Sequence, residues 1–135
     1  MELLTLYGKK KRCKNLKKYL IDWGGSSRSK FQTKVKKFIE KYWGRDVVFE
    51  EFPVVGTRLS LDFYNANKKV AIEVQGQQHV KYVEFFHQNR FNYLEQLQRD
   101  QKKEKFCELN NITLVTIYQN DTIDINLFET QGVIL

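Results

Sequence analysis

Asp62 and Glu73 each sit inside a short apolar run in the stretch LDFYNANKKVAIEVQGQQH, residues 61–79. Carboxylates are rare in strands that bury both faces, so two of them in neighbouring strands call for a chemical reason. Counting in steps of two, Asp62 shares a face with Ser60 and Tyr64, and Glu73 shares one with Ala71 and Gln75. Leu61, Phe63, Val70, Ile72 and Val74 take the opposite faces. Each strand is therefore expected to turn an apolar face to the core and to carry its acid on the second face. The loop NANKK between the runs reads as a hairpin turn. With that turn centred near residues 66–68, Asp62 falls opposite about residue 72, and its carboxylate approaches that of Glu73. Two carboxylates brought together in a partly buried place repel, and a shared divalent cation is the usual resolution. Oxygen-only ligation favours Mg²⁺ or Mn²⁺, which keep several waters and use one or two carboxylates plus a substrate phosphate. The competing reading leaves both acids on the surface, salt-bridged to Lys69 or Arg58.

The elements that must position these residues alternate along the chain. Ser29, at the end of GGSSRS, is placed to cap a helix from about Lys30 to Trp43. On it Phe31, Val35, Phe38, Ile39 and Tyr42 recur at helical spacing, leaving Lys30, Lys34, Lys37 and Lys41 for another face. VVFEEFPVV (47–55), RLSLDFY (58–64) and KVAIEV (69–74) read as strands, the last a central one. A long helix is expected from about Asn89 to Asn110, then a fourth strand, ITLVTIY, at 112–118. The tail after Asp121 is ambiguous. The expected class is α/β, a mixed central sheet flanked by helices.

Charge is uneven. Residues 1–45 carry 14 Lys and Arg against Glu2, Asp22 and Glu40, a net +11, whereas the remaining 90 residues sum to −4. In KKKRCKNLKK, residues 9–18, seven of ten positions are basic: Lys9, Lys10, Lys11, Arg12, Lys14, Lys17 and Lys18. That density points to a polyanion, with phosphate contacts that fade steeply as salt rises. A basic tail kept for solubility is the blander reading. A membrane surface is disfavoured because no apolar face lies opposite the lysines. At 135 residues with 41% hydrophobic content and one proline, the chain fits a single folded domain. Residues 1–28 form a basic N-terminal extension and 29–135 the domain proper. No run approaches the ~18 apolar residues of a membrane span, and MELLTLYGKKKR lacks a signal-peptide core. A soluble cytoplasmic protein is expected, in a setting such as a bacterial or phage-infected cell. The lone cysteines, Cys13 and Cys107, show no metal-binding spacing and suit a reducing compartment.

Asp62 followed by Glu73-Val74-Gln75, on consecutive strands after a helix, resembles the PD-(D/E)XK nuclease superfamily and its restriction-endonuclease-like αβββαβ core. More narrowly, LDFYNANKKVAIEVQGQQH is similar to the branch related to very-short-patch repair (Vsr-like) endonucleases, in which an Asp-Phe pair, an apolar strand ending in Glu, then a Gly and a Gln-His occur at similar spacing. The resemblance covers roughly residues 29–119, including SKFQ, RDQKK and ITLVTIY. It implies a Mg²⁺-dependent endodeoxyribonuclease in which Asp62, Glu73 and the carbonyl of Val74 bind the metal. Gln75 stands where the superfamily usually has lysine; glutamine occurs there in some active members, but it cannot take a proton. His79 is then the natural residue to act as general base or acid or to orient a water. Gln32 stands where related proteins often carry a helix-borne glutamate.

On the long helix Gln96, Asp100, Lys103 and Cys107 form one stripe, beside Leu97 and Phe106, that could reach beneath the site; an ion-paired exposed face is the alternative. His87, with Phe85, Phe86 and Phe91 around it, reads as structural or DNA-facing. The expected activity is hydrolysis of DNA phosphodiester bonds. A monomer would nick, and a homodimer would cut both strands. The alternative is a catalytically silent nucleic-acid-binding module.

Overall fold

The computed structural model describes residues 1–76 and 90–135. Strands β1 (Glu2–Leu4) and β2 (Lys10–Arg12) form an antiparallel hairpin, followed by a 3-10 turn at Leu16–Tyr19. Then come helix α1 (Lys30–Trp43), strands β3 (Val48–Pro53), β4 (Ser60–Asn65) and β5 (Val70–Gln75), helix α2 (Arg90–Leu109), strand β6 (Thr113–Tyr118) and helix α3 (Ile125–Thr130).

Helix α1 starts where its cap requires, with the Ser29 hydroxyl accepting from the Gln32 amide at 3.0 Å. Its buried face is Gln32, Val35, Lys36, Ile39 and Trp43. This rotates the expected apolar stripe: Trp43 enters the core and Tyr42 stays 38% exposed. The rotation follows from Gln32 and Lys36, whose polar ends find partners on β3 and in the preceding loop.

The main sheet runs β3-β4-β5-β6, antiparallel except for the parallel pair β5 and β6, which α2 helps to connect. One face packs α1 and α3 through Val35, Ile39, Trp43 and Phe128 onto Phe63, Ile72, Val115 and Ile117. The other face packs the N-terminal hairpin and the end of α2, with Leu3, Phe106 and Cys107 over Tyr64 and Ala71. Strand β4 is therefore buried on both faces from Leu61 to Asn65, not half-exposed as alternation predicts. The helix expected from Asn89 begins at Arg90 among the described residues, and the ambiguous tail supplies α3, capped by Asp124.

Residues 1–28 are a folded part of this core. Leu3 and Cys13 are buried in it, Leu20 makes a bridge to Phe49, and Asn110 at the end of α2 exchanges two hydrogen bonds with the backbone of Leu4. The seven basic residues from Lys9 to Lys18 are nevertheless all exposed. No described helix is long and apolar enough to cross a membrane.

Candidate functional site

The β4–β5 register pairs Phe63 with Ile72, Tyr64 with Ala71 and Asn65 with Val70. Ile72 thus faces Phe63, not Asp62 as the sequence predicts, and Asp62 and Glu73 are the next residues on each strand beyond the last pair. The turn decides this: the Asn65 side chain accepts from the Lys68 amide at 3.0 Å, and Lys69 adopts a left-handed φ of 55° that returns the chain into β5. The loop is also fastened outside the hairpin. Val47 N–H donates to Asn67 Oδ1 at 2.6 Å, and Thr113 N–H donates to the Lys69 carbonyl at 2.9 Å.

Both acids are buried, Asp62 at 2% and Glu73 at 4% exposure. Asp62 Oδ2 accepts from the Val74 amide at 2.8 Å, and Oδ1 lies 3.3 Å from the Arg28 guanidinium. Glu73 Oε1 lies 2.7 Å from the Lys103 ammonium, a close ion pair whose angle leaves that oxygen without an aligned hydrogen bond. The acids' ion pairs thus go to Arg28 and Lys103, not to Lys69 or Arg58. Burial holds the Glu73 carboxyl far above the usual carboxylate range, helped by the hydrogen bond and charge of Asp62, with Lys103 opposing. When nothing else neutralises it, the buried Glu73 carboxyl is therefore the one that holds a proton.

The polar stripe of α2 faces the sheet. Gln96 and Gln75 both donate to Asp100 Oδ1, at 3.1 and 3.4 Å, and Lys103 reaches Glu73. Cys107 is buried, its thiol pushed up to about 12 by burial first and by the charge of Glu73 second. Gln75, Asp100 and Lys103 are thereby brought to the acids. Leu97 remains 40% exposed and Phe91 70% exposed, so Phe91 is not part of an aromatic core. His79, together with His87, Phe85 and Phe86, lies outside the described residues.

Gln32 is buried and reaches β3: its amide donates to Glu50 at 2.9 Å and to Glu51 at 3.0 Å. Neighbouring strand residues normally point to opposite faces. Glu51 has a left-handed φ of 51°, which breaks the alternation and lets both glutamates meet one glutamine. Glu51 also accepts from Ser60 Oγ at 3.1 Å and lies 3.7 Å from Arg28, which links it to Asp62. Lys36, 1% exposed, pairs with Glu50 at 2.9 Å and donates to the carbonyls of Asp22 and Gly25. Arg28, Lys36, Glu50 and Glu51 are the site residues that the sequence reading misses. The two adjacent acids in VVFEEFPVV are a visible signal of the same kind as Asp62 and Glu73, whereas nothing in the sequence marks a left-handed glutamate.

Above the acids lies a cavity of about 270 Å³, lined in part by Arg28, Arg58, Arg99 and Lys103. Four cations around two buried acids suit an anion that carries its own counter-ion. Among the described residues no group of three or more His, Cys, Asp or Glu is arranged to hold a metal. What is present is a pair of hard oxygen donors with Val74 at the cavity wall. Such a pair fits Mg²⁺ or Mn²⁺ retaining waters and does not fit an all-protein cage.

Three relatives align with part of the chain. Uncharacterized protein 307L of invertebrate iridescent virus 6 is 36% identical over 59 residues, covering 44% of this chain and 30% of the relative. Uncharacterized protein 033L of invertebrate iridescent virus 3 is 31% identical over 65 residues, covering 48% and 34%. Uncharacterized protein 094L of frog virus 3 is 39% identical over 66 residues, covering 48% and 43%. The match thus spans less than half of each relative, and their names carry no activity. No family model and no solved structure matches the chain.

Proposed function

We propose that this protein is a metal-dependent DNA endonuclease with a restriction-endonuclease-like core of the PD-(D/E)XK type, similar to the very-short-patch repair branch. The observation that carries the reading is that two buried acids, Asp62 and Glu73, meet just beyond the last pair of the β4–β5 ladder, with a cation from α2 on the second of them. The element order α1-β3-β4-β5-α2-β6 supports it, being the αβββαβ sequence of that core.

Mg²⁺ or Mn²⁺ held by Asp62, Glu73 and the Val74 carbonyl would supply a Lewis acid for the phosphate and an acidified water. The chain's own groups do the rest. Lys103 is the nearest replacement for the lysine that position 75 lacks: it lies against Glu73, opposing the effect of burial on that carboxyl, and presents an ammonium to the cavity. Gln75, anchored through its amide to Asp100, orients a water without accepting its proton. His79 is the proposed proton acceptor. Arg28 and Arg58 bind the nonbridging oxygens of the substrate, and the lysines from Lys9 to Lys18 hold its backbone.

A silent nucleic-acid-binding module is the second reading, favoured by the neutral Gln75 and Gln32 at positions where a charge is usual. Supercoiled plasmid incubated with the protein and Mg²⁺ or Mn²⁺, beside Glu73→Ala, separates the two. Nicking by the wild type that vanishes in the variant is expected. Equal DNA binding by both with no cleavage by either would leave the silent module.

A further inference from the structure

The carboxylate cavity does not stand alone. A second depression, lined by Arg28, Lys18, Tyr19 and Glu51 among others, shares Arg28 with it. A third, lined by Arg12, Lys14, Lys17 and Lys18, shares Lys18 with the second. Three concavities, each sharing one cationic side chain with the next, thus lie in a row from Asp62 to the Lys14–Lys18 turn.

Two of the acids along the track face cations: Glu50 is paired with buried Lys36, and Glu51 faces Arg28. Asp22 stays exposed at the edge of the second depression, accepting from the Gly24 amide at 3.2 Å. Lys18 is held at the second junction with its ammonium 5.5 Å from the centre of the Tyr19 ring. The 3-10 turn that carries Lys17 and Lys18 packs against β3 through Tyr19 on Phe52, so the cations sit on a supported surface rather than on a loose arm.

We propose that this track binds a single DNA strand on one side only of the phosphate seated at Asp62, so that the substrate must extend in that one direction past Arg28 and Lys18. The proposal rests on the nuclease reading for the position of the scissile phosphate, but strand binding tests the track by itself. A concave row whose members share single side chains accommodates one backbone, and its phosphates would replace counter-ions there.

The test uses the full chain and synthetic oligonucleotides. For the triple variant Lys14→Gln, Lys17→Gln and Lys18→Gln, the slope of log affinity against log salt should become shallower by about 2, at roughly 0.7 per lost phosphate contact on a single strand. An unchanged slope overturns the track, whether or not the wild type cleaves. For one-sidedness, single methylphosphonates are placed along a strand on both sides of the cut. Wild-type cleavage should fall for a run of positions on one side, and the triple variant should lose that sensitivity. Equal sensitivity on both sides, or a variant as sensitive as the wild type, overturns it. Circular dichroism of the variant confirms folding. A wild type that binds with the expected slope but never cleaves would sink the nuclease reading and leave the strand track standing.

Discussion

Glu73 carries a raised folded-state pKa because it is buried beside Asp62, and the sign of its effect on stability follows. A carboxyl whose folded value lies above its unfolded one stabilises the protein fully below the unfolded value. That contribution is lost as pH climbs towards the folded value. Without divalent cation, Glu73→Gln is therefore expected to be more stable relative to wild type at pH 8 than at pH 5. A difference on the order of 1 kcal/mol would appear as about 4 °C in thermal midpoint. The same relative stability at both pH values would show that Glu73 ionises normally. Lys103 is tested by kinetics: Lys103→Gln should lower kcat about 100-fold with KM little changed, with partial recovery in Lys103→Arg. A loss confined to KM would make Lys103 a substrate-binding residue instead.

At the scale of elements, helix α1 does two jobs, since the same turn-to-turn face that buries Val35 and Ile39 also buries Gln32 and Lys36. Lys36→Met removes the partner of Glu50 and the donor that ties the 22–25 loop leading to Arg28. Breaking a buried pair from one side should cost about 3 kcal/mol, measured by urea unfolding; a cost below about 1 kcal/mol would mean the pair is not desolvated. The beginning of this helix was legible in the sequence from Ser29 and the apolar spacing. Its rotation was not, because Lys36 looks like any of the solvent-facing lysines around it. Strands β4 and β5 were legible by alternation, yet the burial of their acid-bearing face depends on α2 and the N-terminal hairpin, which are distant in sequence. Strands β1 and β2 have three residues each, and β2 is entirely Lys and Arg, so no hydrophobic period announces them.

At the scale of the whole molecule, the basic front third is part of the fold that supports the site. Asn110 accepts from the Leu4 amide at 2.7 Å and donates to the Leu4 carbonyl at 3.0 Å, joining the first strand to the end of the helix that carries Lys103. Asn110→Ala should cost about 1–2 kcal/mol and speed hydrogen exchange at the Leu4 amide. Unchanged protection at Leu4 would show that the hairpin is held by its apolar contacts alone. What sequence reading found at this scale was the charge asymmetry; what it could not find was that the charged segment doubles back onto the core through Leu3 and Cys13.

The hairpin between the two acids has a consequence for how sequences of this kind can diverge. Three residue pairs, Asn65 with Val70, Tyr64 with Ala71 and Phe63 with Ile72, separate the turn from Asp62 and Glu73. Added residues at the tip leave those pairs intact, at the expense of the ties to Val47 and Thr113. One residue added within either arm reverses the facing of everything beyond it and turns one acid away from the other. Equality of the two arms, more than the total distance between the acids, is thus the property by which a homologue that keeps the facing acids can be told from one that has lost them.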